Sequence, residues 1–343
     1  MLRICRFNLN RALAIFRASF MFGVLAAAAM PSAQAQTVMK MASATINDVQ
    51  HEWLKRFEAA IKPRVGDKLK VEIYPASQLG QIPRMVEGVA LGTIESFITP
   101  TSFLVSVETR YQAFDAIGVF QSPEHLNRVL SDAAYRKRAL AMGESKGLKG
   151  IGIFYNSPVV VLSKRPIATL ADFAGKKIRV FPSPLQIEPM KSLGASPVPM
   201  AFGEVMAALQ NGTIDGLLAG IPVLTPFKFY DAAKPVTEIH PAIVVSTLVV
   251  NKRWFDGLPA DVQTAIVETG ARVDREAFGF AADLITKANQ AWTANGGQIL
   301  RLSSAEQAKM MADLKVLGGK LLSEKAEVKT EYDELVRTAD RLK

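Results

Sequence analysis

Arg179 is the side chain whose type and position most directly suggest chemistry. In the segment KKIRVF, residues 176–181, apolar residues alternate with others as in a β-strand, and the prolines that follow end it. Arg179 therefore stands at a strand end, where open α/β sheets place ligand contacts, and a guanidinium presents a planar set of donors that suits a carboxylate. The spacing alone leaves two interpretations open: a carboxylate site, or a surface arginine paired with a neighbouring acid.

Residues for catalysis or metal binding are sparse. His51, His125 and His240 show no HExxH or H-x₃-H spacing, and we expect His125 on the surface of a helix. The chain has no P-loop, no GxGxxG and no nucleophile elbow. We therefore predict no catalytic residue, no metal and no cofactor. A hydrolase with paired carboxylates stays open as an enzyme alternative, because the chain has 32 acidic residues.

A longer pattern surrounds Arg179. It comprises Gly175, Lys177, Arg179, the run LGASPVPM at 193–200, Phe202, Glu204, Val205, the run ALQ at 208–210, Gly212, Asp215 and Gly216. This pattern resembles the signature region of the substrate-binding proteins of tripartite ATP-independent periplasmic (TRAP) transporters, the DctP-like family. The resemblance covers nearly the whole chain after residue 35. It implies that Arg179 holds the substrate carboxylate and that Phe202 packs on the substrate.

The sequence departs from the sialate-binding members of that family at polar substrate contacts. Apolar residues stand at five of these places, namely Pro100, Phe103, Val159, Pro182 and Ala219. We therefore expect apolar walls from Phe181, Phe202, Val159 and Leu217, and a preference for an apolar or aromatic monocarboxylate over a dicarboxylate or sugar acid. A second carboxylate stays possible if another cation reaches the cleft; the candidates are Lys164, Lys177, Arg84 and Arg110.

Alternating strand and helix patterns predict an α/β fold that positions these residues. Strands are expected at 38–42, 69–74 and 96–101, with helices after the first two. The third strand ends in small hydroxyl side chains, so Thr99 and Thr101 could line the cleft from the first domain. Residues 114–120 predict a strand or loop before a capped helix.

Two β-branched runs predict strands that cross between two domains. They are residues 151–162, interrupted at 156–158, and residues 242–251. We predict domain I at 36–155, domain II with Arg179 at 156–245, and a return to domain I at 246–343. From residue 258 an apolar stripe predicts a helix on the order of 50 Å long, which must brace both domains or bend, and a capping box at Ser303 starts a further helix.

The first 35 residues predict a secretory signal peptide. Four arginines and no acid precede an apolar run and an A-x-A site, and the only cysteine, Cys5, lies in this leader. A signal anchor is the alternative. Loss of the leader would lower the formal net charge from +9 to +5 without any basic run, which does not indicate nucleic acid.

These observations together predict a non-enzymatic binding protein of the periplasm. It would close by a hinge on a small organic acid and deliver that acid to the membrane subunits of a TRAP transporter. Two alternatives stay open: a periplasmic binding partner of a sensor system, and a periplasmic lyase or hydrolase. The sequence does not distinguish monomer from dimer.

Overall fold

The computed structural model describes residues 36 to 343, apart from the side chains of residues 240 and 241, so the predicted signal peptide at 1–35 lies outside the described residues. The strands are β1 (Thr37–Ser43), β2 (Leu69–Tyr74), β3 (Ser96–Pro100), β4 (Leu148–Ser163), β5 (Lys177–Val180), β6 (Ser196–Pro199), β7 (Gly216–Ala219), β8 (Pro235–Asn251) and β9 (Gln298–Arg301). The helices are α1 (Val49–Val65), α2 (Ile82–Leu91), α3 (Pro123–Ser131), α4 (Ala133–Ala141), α5 (Pro184–Ser192), α6 (Phe202–Asn211), α7 (Ile221–Leu224), α8 (Lys252–Asp256), α9 (Ala260–Ala294), α10 (Ser304–Leu322) and α11 (Ala326–Arg341).

The described strands form one mixed sheet. Its order is β2-β1-β3-β8-β4-β7-β5-β6, and β9 pairs with β8 outside this path. β1 and β3 are parallel, and β5 is parallel to both β6 and β7. We call β2, β1 and β3 the first half-sheet, and β7, β5 and β6 the second half-sheet. The long antiparallel pair β4 and β8 lies between them.

β4 and β8 connect the two half-sheets. β8 pairs with β3 near its C-terminal end, and β4 pairs with β7 near its own C-terminal end. The register between β4 and β8 shifts between Tyr155 and Ser157 and again between Pro158 and Val160. β-bulges of this kind bend a strand locally. Residues 38–343 form one compact unit, so the division into two domains at these positions stays a prediction.

Helix α9 contacts residues from both predicted domains. It has 35 residues, which corresponds to about 50 Å. Near its middle, Asp274 accepts hydrogen bonds from the Trp53 side chain in α1 and the Ile153 backbone in β4. Near its end, Trp292 Nε1 donates to the Lys234 carbonyl oxygen at 3.2 Å, just before β8. The prediction of a long C-terminal helix is confirmed.

Two local predictions differ from the structure. β3 ends at Pro100, and Thr101 begins a 3-10 turn instead of continuing the strand. The segment before α3 contains a 3-10 helix, Thr109–Asp115, followed by a loop, which agrees with the loop alternative predicted for residues 114–120. The expected surface position of His125 is wrong, because His125 is buried and its Nε2 lies 2.8 Å from the Ala339 carbonyl oxygen. None of the helices in the described part of the chain is both long and apolar enough to cross a membrane.

Candidate functional site

A buried cavity lies where both half-sheets meet the crossing strands. Its volume is about 40 Å³, which is above the minimum that a cavity needs to admit water. The carboxyl ends of β3, β5 and β7 contribute to its lining, as expected for a ligand site in an open α/β sheet. Its polar lining residues are Thr45, Gln50, Thr99, Asn156, Ser157 and Arg179. The cavity therefore combines one positive charge with several uncharged polar side chains.

Arg179 is fully buried at the end of β5. Its Nε donates to the Met200 carbonyl oxygen and its Nη1 to the Leu218 carbonyl oxygen, each at 3.0 Å. Its Nη2 has no hydrogen-bond partner among the described residues, and its guanidinium carbon lies 4.8 Å from the centre of the Phe181 ring. The alternative of a surface ion pair is therefore wrong. Two of the five N–H groups are used, and the remainder can bind an anion.

No acidic side chain offsets the burial of this charge. The described residues that line the cavity include no aspartate or glutamate. Burial accordingly lowers the pKa of Arg179 to about 9. The guanidinium remains charged at neutral pH, and a bound carboxylate would raise its pKa again.

We expect carboxylate affinity to depend on this ionisation. For an acid that is fully ionised, affinity should be constant from about pH 6 to about pH 8, because Arg179 is charged in that range. As the pH rises through about 9, affinity should fall, approaching about tenfold per pH unit, because binding favours the protonated guanidinium. Calorimetry across this range, with circular dichroism to verify folding, measures the effect. Constant affinity well above pH 9 in the folded protein would contradict it.

Other buried polar atoms at this cavity also lack partners. Thr99 Oγ1, Asn156 Oδ1 and Ser157 Oγ are buried without a hydrogen-bond partner, as is Arg179 Nη2. These are four of the twelve such side-chain atoms among the described residues, and all four belong to residues that line one small cavity. Because buried polar groups are normally hydrogen-bonded, such a concentration marks a place where a polar ligand or water completes the structure.

The structure brings only part of the predicted site to this cavity. The predicted residues that line it are Arg179, Phe181, Phe202, Ala219 and Thr99. Val159 instead lines a second cavity of about 30 Å³, and Leu217 is fully buried in β7 without lining either cavity. Thr101 is also absent from the lining, and its Oγ1 donates to the Val245 carbonyl oxygen at 3.4 Å. Each of these three residues lies two positions from a residue that does line the cavity, so strand alternation alone does not explain why they are absent from its lining.

The additional cations considered from the sequence do not line the cavity. Lys164, Lys177, Arg84 and Arg110 are all absent from its lining. Arg110 forms an ion pair with Glu108 at 2.9 Å. Arg179 is therefore the only charged side chain among the described residues that line the cavity, which leaves a second carboxylate without a cationic partner.

Four residues that line the cavity were not predicted from the sequence: Asn156, Ser157, Thr45 and Gln50. Asn156 and Ser157 interrupt an apolar strand and were interpretable only as a hinge signal. The sequence signal that could have identified them is a pair of polar residues inside an otherwise apolar strand that was predicted to cross between the domains. Thr45 and Gln50 flank the start of α1, the loop and helix position that follows the first strand of an α/β unit.

The mixed sheet, its two long crossing strands and the cavity between its halves are the architecture of a solute-binding protein. Residues 41–325 match the family model described as bacterial extracellular solute-binding protein, family 7 (DctP), and the chain belongs to that family. The resemblance to TRAP substrate-binding proteins is thus confirmed.

Named relatives and a solved structure agree with this assignment. The chain is 31% identical over 267 residues to the 2,3-diketo-L-gulonate-binding periplasmic protein YiaO of Escherichia coli, covering 78% of this chain and 80% of that protein. It is 30% identical over 237 residues to the C4-dicarboxylate-binding periplasmic protein DctP of Rhodobacter capsulatus, covering 69% and 71%. A TRAP periplasmic solute-binding protein from Desulfovibrio salexigens, solved with bound orotic acid, has the same fold, with a TM-score of 0.85, 24% identity and coverage of 90% of this chain and 100% of that chain.

Proposed function

We propose that this chain is a periplasmic solute-binding protein that captures a small organic monocarboxylate on Arg179 and delivers it to the membrane subunits of a TRAP transporter. The observation that carries the proposal is the buried guanidinium of Arg179, which has unused donors and no acid beside it in the described cavity. An uncompensated buried charge is costly, so we infer that an anion pairs with it during the working cycle.

The names of the relatives support an acidic ligand. The two relatives described above are named for a diketogulonate and for C4-dicarboxylates, and the solved structure contains orotic acid. The cavity of this chain favours a single carboxylate, because Arg179 is the only charged side chain among its described lining residues. We also propose that residues 1–35 direct export to the periplasm and are removed there.

Ligand entry requires movement of the structure. Arg179 is fully buried, so an acid reaches its guanidinium only if the two half-sheets move apart. The register shifts in β4 at residues 155–160 lie beside the cavity residues Asn156 and Ser157, where bending of the strand would open the cavity. We propose that the ligand stabilises the closed arrangement by pairing with Arg179 across this junction.

Small-angle X-ray scattering should detect this closure. We expect the radius of gyration to fall when a bound acid reaches saturation, because the open and closed arrangements differ in compactness. The Arg179→Ala variant with the same acid provides the control and should show no decrease. An unchanged scattering profile for the wild-type protein, with saturation verified by calorimetry, would show that binding occurs without domain closure.

A further inference from the structure

Several polar residues line the cavity, and a simple carboxylate would not satisfy all of their hydrogen-bonding atoms. Arg179 can bind the carboxylate, but Thr99 Oγ1, Asn156 Oδ1 and Ser157 Oγ also lack partners. All four residues line the same cavity of about 40 Å³. The carboxylate of a purely apolar acid can accept hydrogen bonds from Arg179 and from the Thr99 and Ser157 hydroxyls, but it has no hydrogen to donate to Asn156 Oδ1, and an unpaired buried acceptor is unfavourable. The ligand therefore needs an uncharged polar group in addition to its carboxylate.

Asn156 indicates which polar group this is. Its Nδ2 donates to Ser246 Oγ at 2.9 Å, which leaves Oδ1 as an acceptor beside the cavity. An oxo group cannot donate to Oδ1, whereas a hydroxyl group can both donate to Asn156 and accept from a serine or threonine hydroxyl. The polar group that matches this set of atoms is therefore a hydroxyl.

The absence of a side chain at Gly220 leaves room for the Ser157 hydroxyl. A Cβ atom at residue 220 would lie 2.1 Å from Ser157 Oγ, closer than two such atoms can approach. Both residues line the cavity. A side chain at residue 220 would therefore displace the Ser157 hydroxyl. The missing side chain at this position is consistent with a role for that hydroxyl in the site.

We infer that the ligand is a short-chain monocarboxylate with a hydroxyl group near its carboxylate, held by Arg179 together with Thr99, Asn156 and Ser157. The inference rests on the proposed function, since Arg179 must first bind the carboxylate. It replaces the apolar ligand expected from the sequence. That expectation rested on Phe181, Phe202 and Ala219, which line this cavity, on Val159 and Leu217, which do not, and on family positions that do not include Asn156 or Ser157.

The test compares acids that share one carbon skeleton. Calorimetry with 2-hydroxyisovalerate (both enantiomers), 2-oxoisovalerate and isovalerate varies only the group beside the carboxylate. We expect one enantiomer of the hydroxy acid to bind on the order of 10- to 100-fold more tightly than isovalerate, with the oxo acid between them. Malate, which adds a second carboxylate to a hydroxy acid, should bind more weakly than the hydroxy monocarboxylate.

Variants connect this preference to the named residues. Thr99→Val and Ser157→Ala remove one hydroxyl each with little change in shape, and Asn156→Leu removes the acceptor. Each should reduce the affinity ratio of hydroxy acid to isovalerate while isovalerate still binds, an effect that general destabilisation would not produce. Thr237→Val is the matched control, because Thr237 donates to the Ile167 carbonyl oxygen in the core and does not line the cavity. Its affinity ratio should equal that of the wild type.

The possible outcomes separate this inference from the proposed function. Binding of none of these acids, including malate, would contradict the proposed function and the inference together. Equal binding of the hydroxy acid and isovalerate would overturn only the inference. Tightest binding of malate would overturn the inference and also the preference for a single carboxylate in the proposed function. An unchanged affinity ratio in all three cavity variants would also overturn it, because the hydroxyl would then bind elsewhere.

Discussion

Arg179→Ala is expected to abolish measurable carboxylate binding while leaving the fold intact. The ligand carboxylate would be enclosed in a cavity without any other cationic side chain among its described lining residues. Loss of one partner of a buried charge pair costs about 2 to 5 kcal/mol, which corresponds to a decrease in affinity of roughly 30- to 5,000-fold. Calorimetry with an acid that binds the wild-type protein measures the loss.

The stability of this variant should be close to that of the wild type or higher. Arg179 donates hydrogen bonds to two carbonyl oxygens, but none of the described residues that line the cavity is an acid that could pair with its charge. Its removal therefore also removes an uncompensated buried charge. Arg179→Lys should recover part of the affinity, because a lysine supplies the charge without the paired donors. Arg165→Ala, at an exposed arginine, is the control and should bind normally. Wild-type affinity in Arg179→Ala would refute the carboxylate site.

Asp274→Ala is expected to lower the free energy of unfolding far more than Arg179→Ala does. Asp274 Oδ1 accepts from Trp53 Nε1 at 2.9 Å, and Oδ2 accepts from the Ile153 backbone at 2.9 Å and from Arg136 Nη2 at 2.7 Å. Asp274 is buried, and Arg136 is largely buried. Its removal leaves the Arg136 cation without its acidic partner and two N–H donors without an acceptor, which should lower the free energy of unfolding by about 3 to 5 kcal/mol.

Denaturant unfolding with matched variants tests this prediction. Asp274→Asn keeps one oxygen acceptor but loses the charge, so its free energy of unfolding should fall between those of the wild type and Asp274→Ala. Asp283 lies on the same helix and is exposed, and Asp283→Ala should change the free energy by no more than about 0.5 kcal/mol. Equal unfolding free energies for Asp274→Ala and Asp283→Ala would show that Asp274 does not anchor α9.

The close packing around Asp274 explains why this position matters. A Cβ atom at residue 152 would lie 2.6 Å from the Trp53 ring and 2.8 Å from Asp274 Oδ1, so glycine is needed there for α1 and α9 to approach β4. Gly270 of α9 similarly faces the Ile151 carbonyl oxygen, which a Cβ atom would approach to 2.5 Å. The long helix is thus held against the crossing strand by small residues and by one buried carboxylate.

The sequence by itself determined several strands and helices and identified Arg179 as the principal charged residue of the site. Local periodicity predicted β2 and α2 at the residues where they occur, and alternation placed Arg179 at the end of a strand. The apolar stripe after residue 258 predicted α9, because a helical pattern of that length can be recognised without knowing which residues pack against it. The family pattern around Arg179 then identified the class of protein.

Only the tertiary structure decided which other residues meet Arg179. Val159 and Ser157 both belong to β4, yet Ser157 lines the cavity of Arg179 while Val159 lines a different cavity. The register shifts on either side of Ser157 determine which side chains of β4 face that cavity, and bulges depend on pairing with β8 across a long separation in sequence. Strand alternation alone therefore could not assign these residues. Two polar residues of the cavity lining follow from that pairing, because it places Asn156 and Ser157 beside a strand end that is distant in the chain.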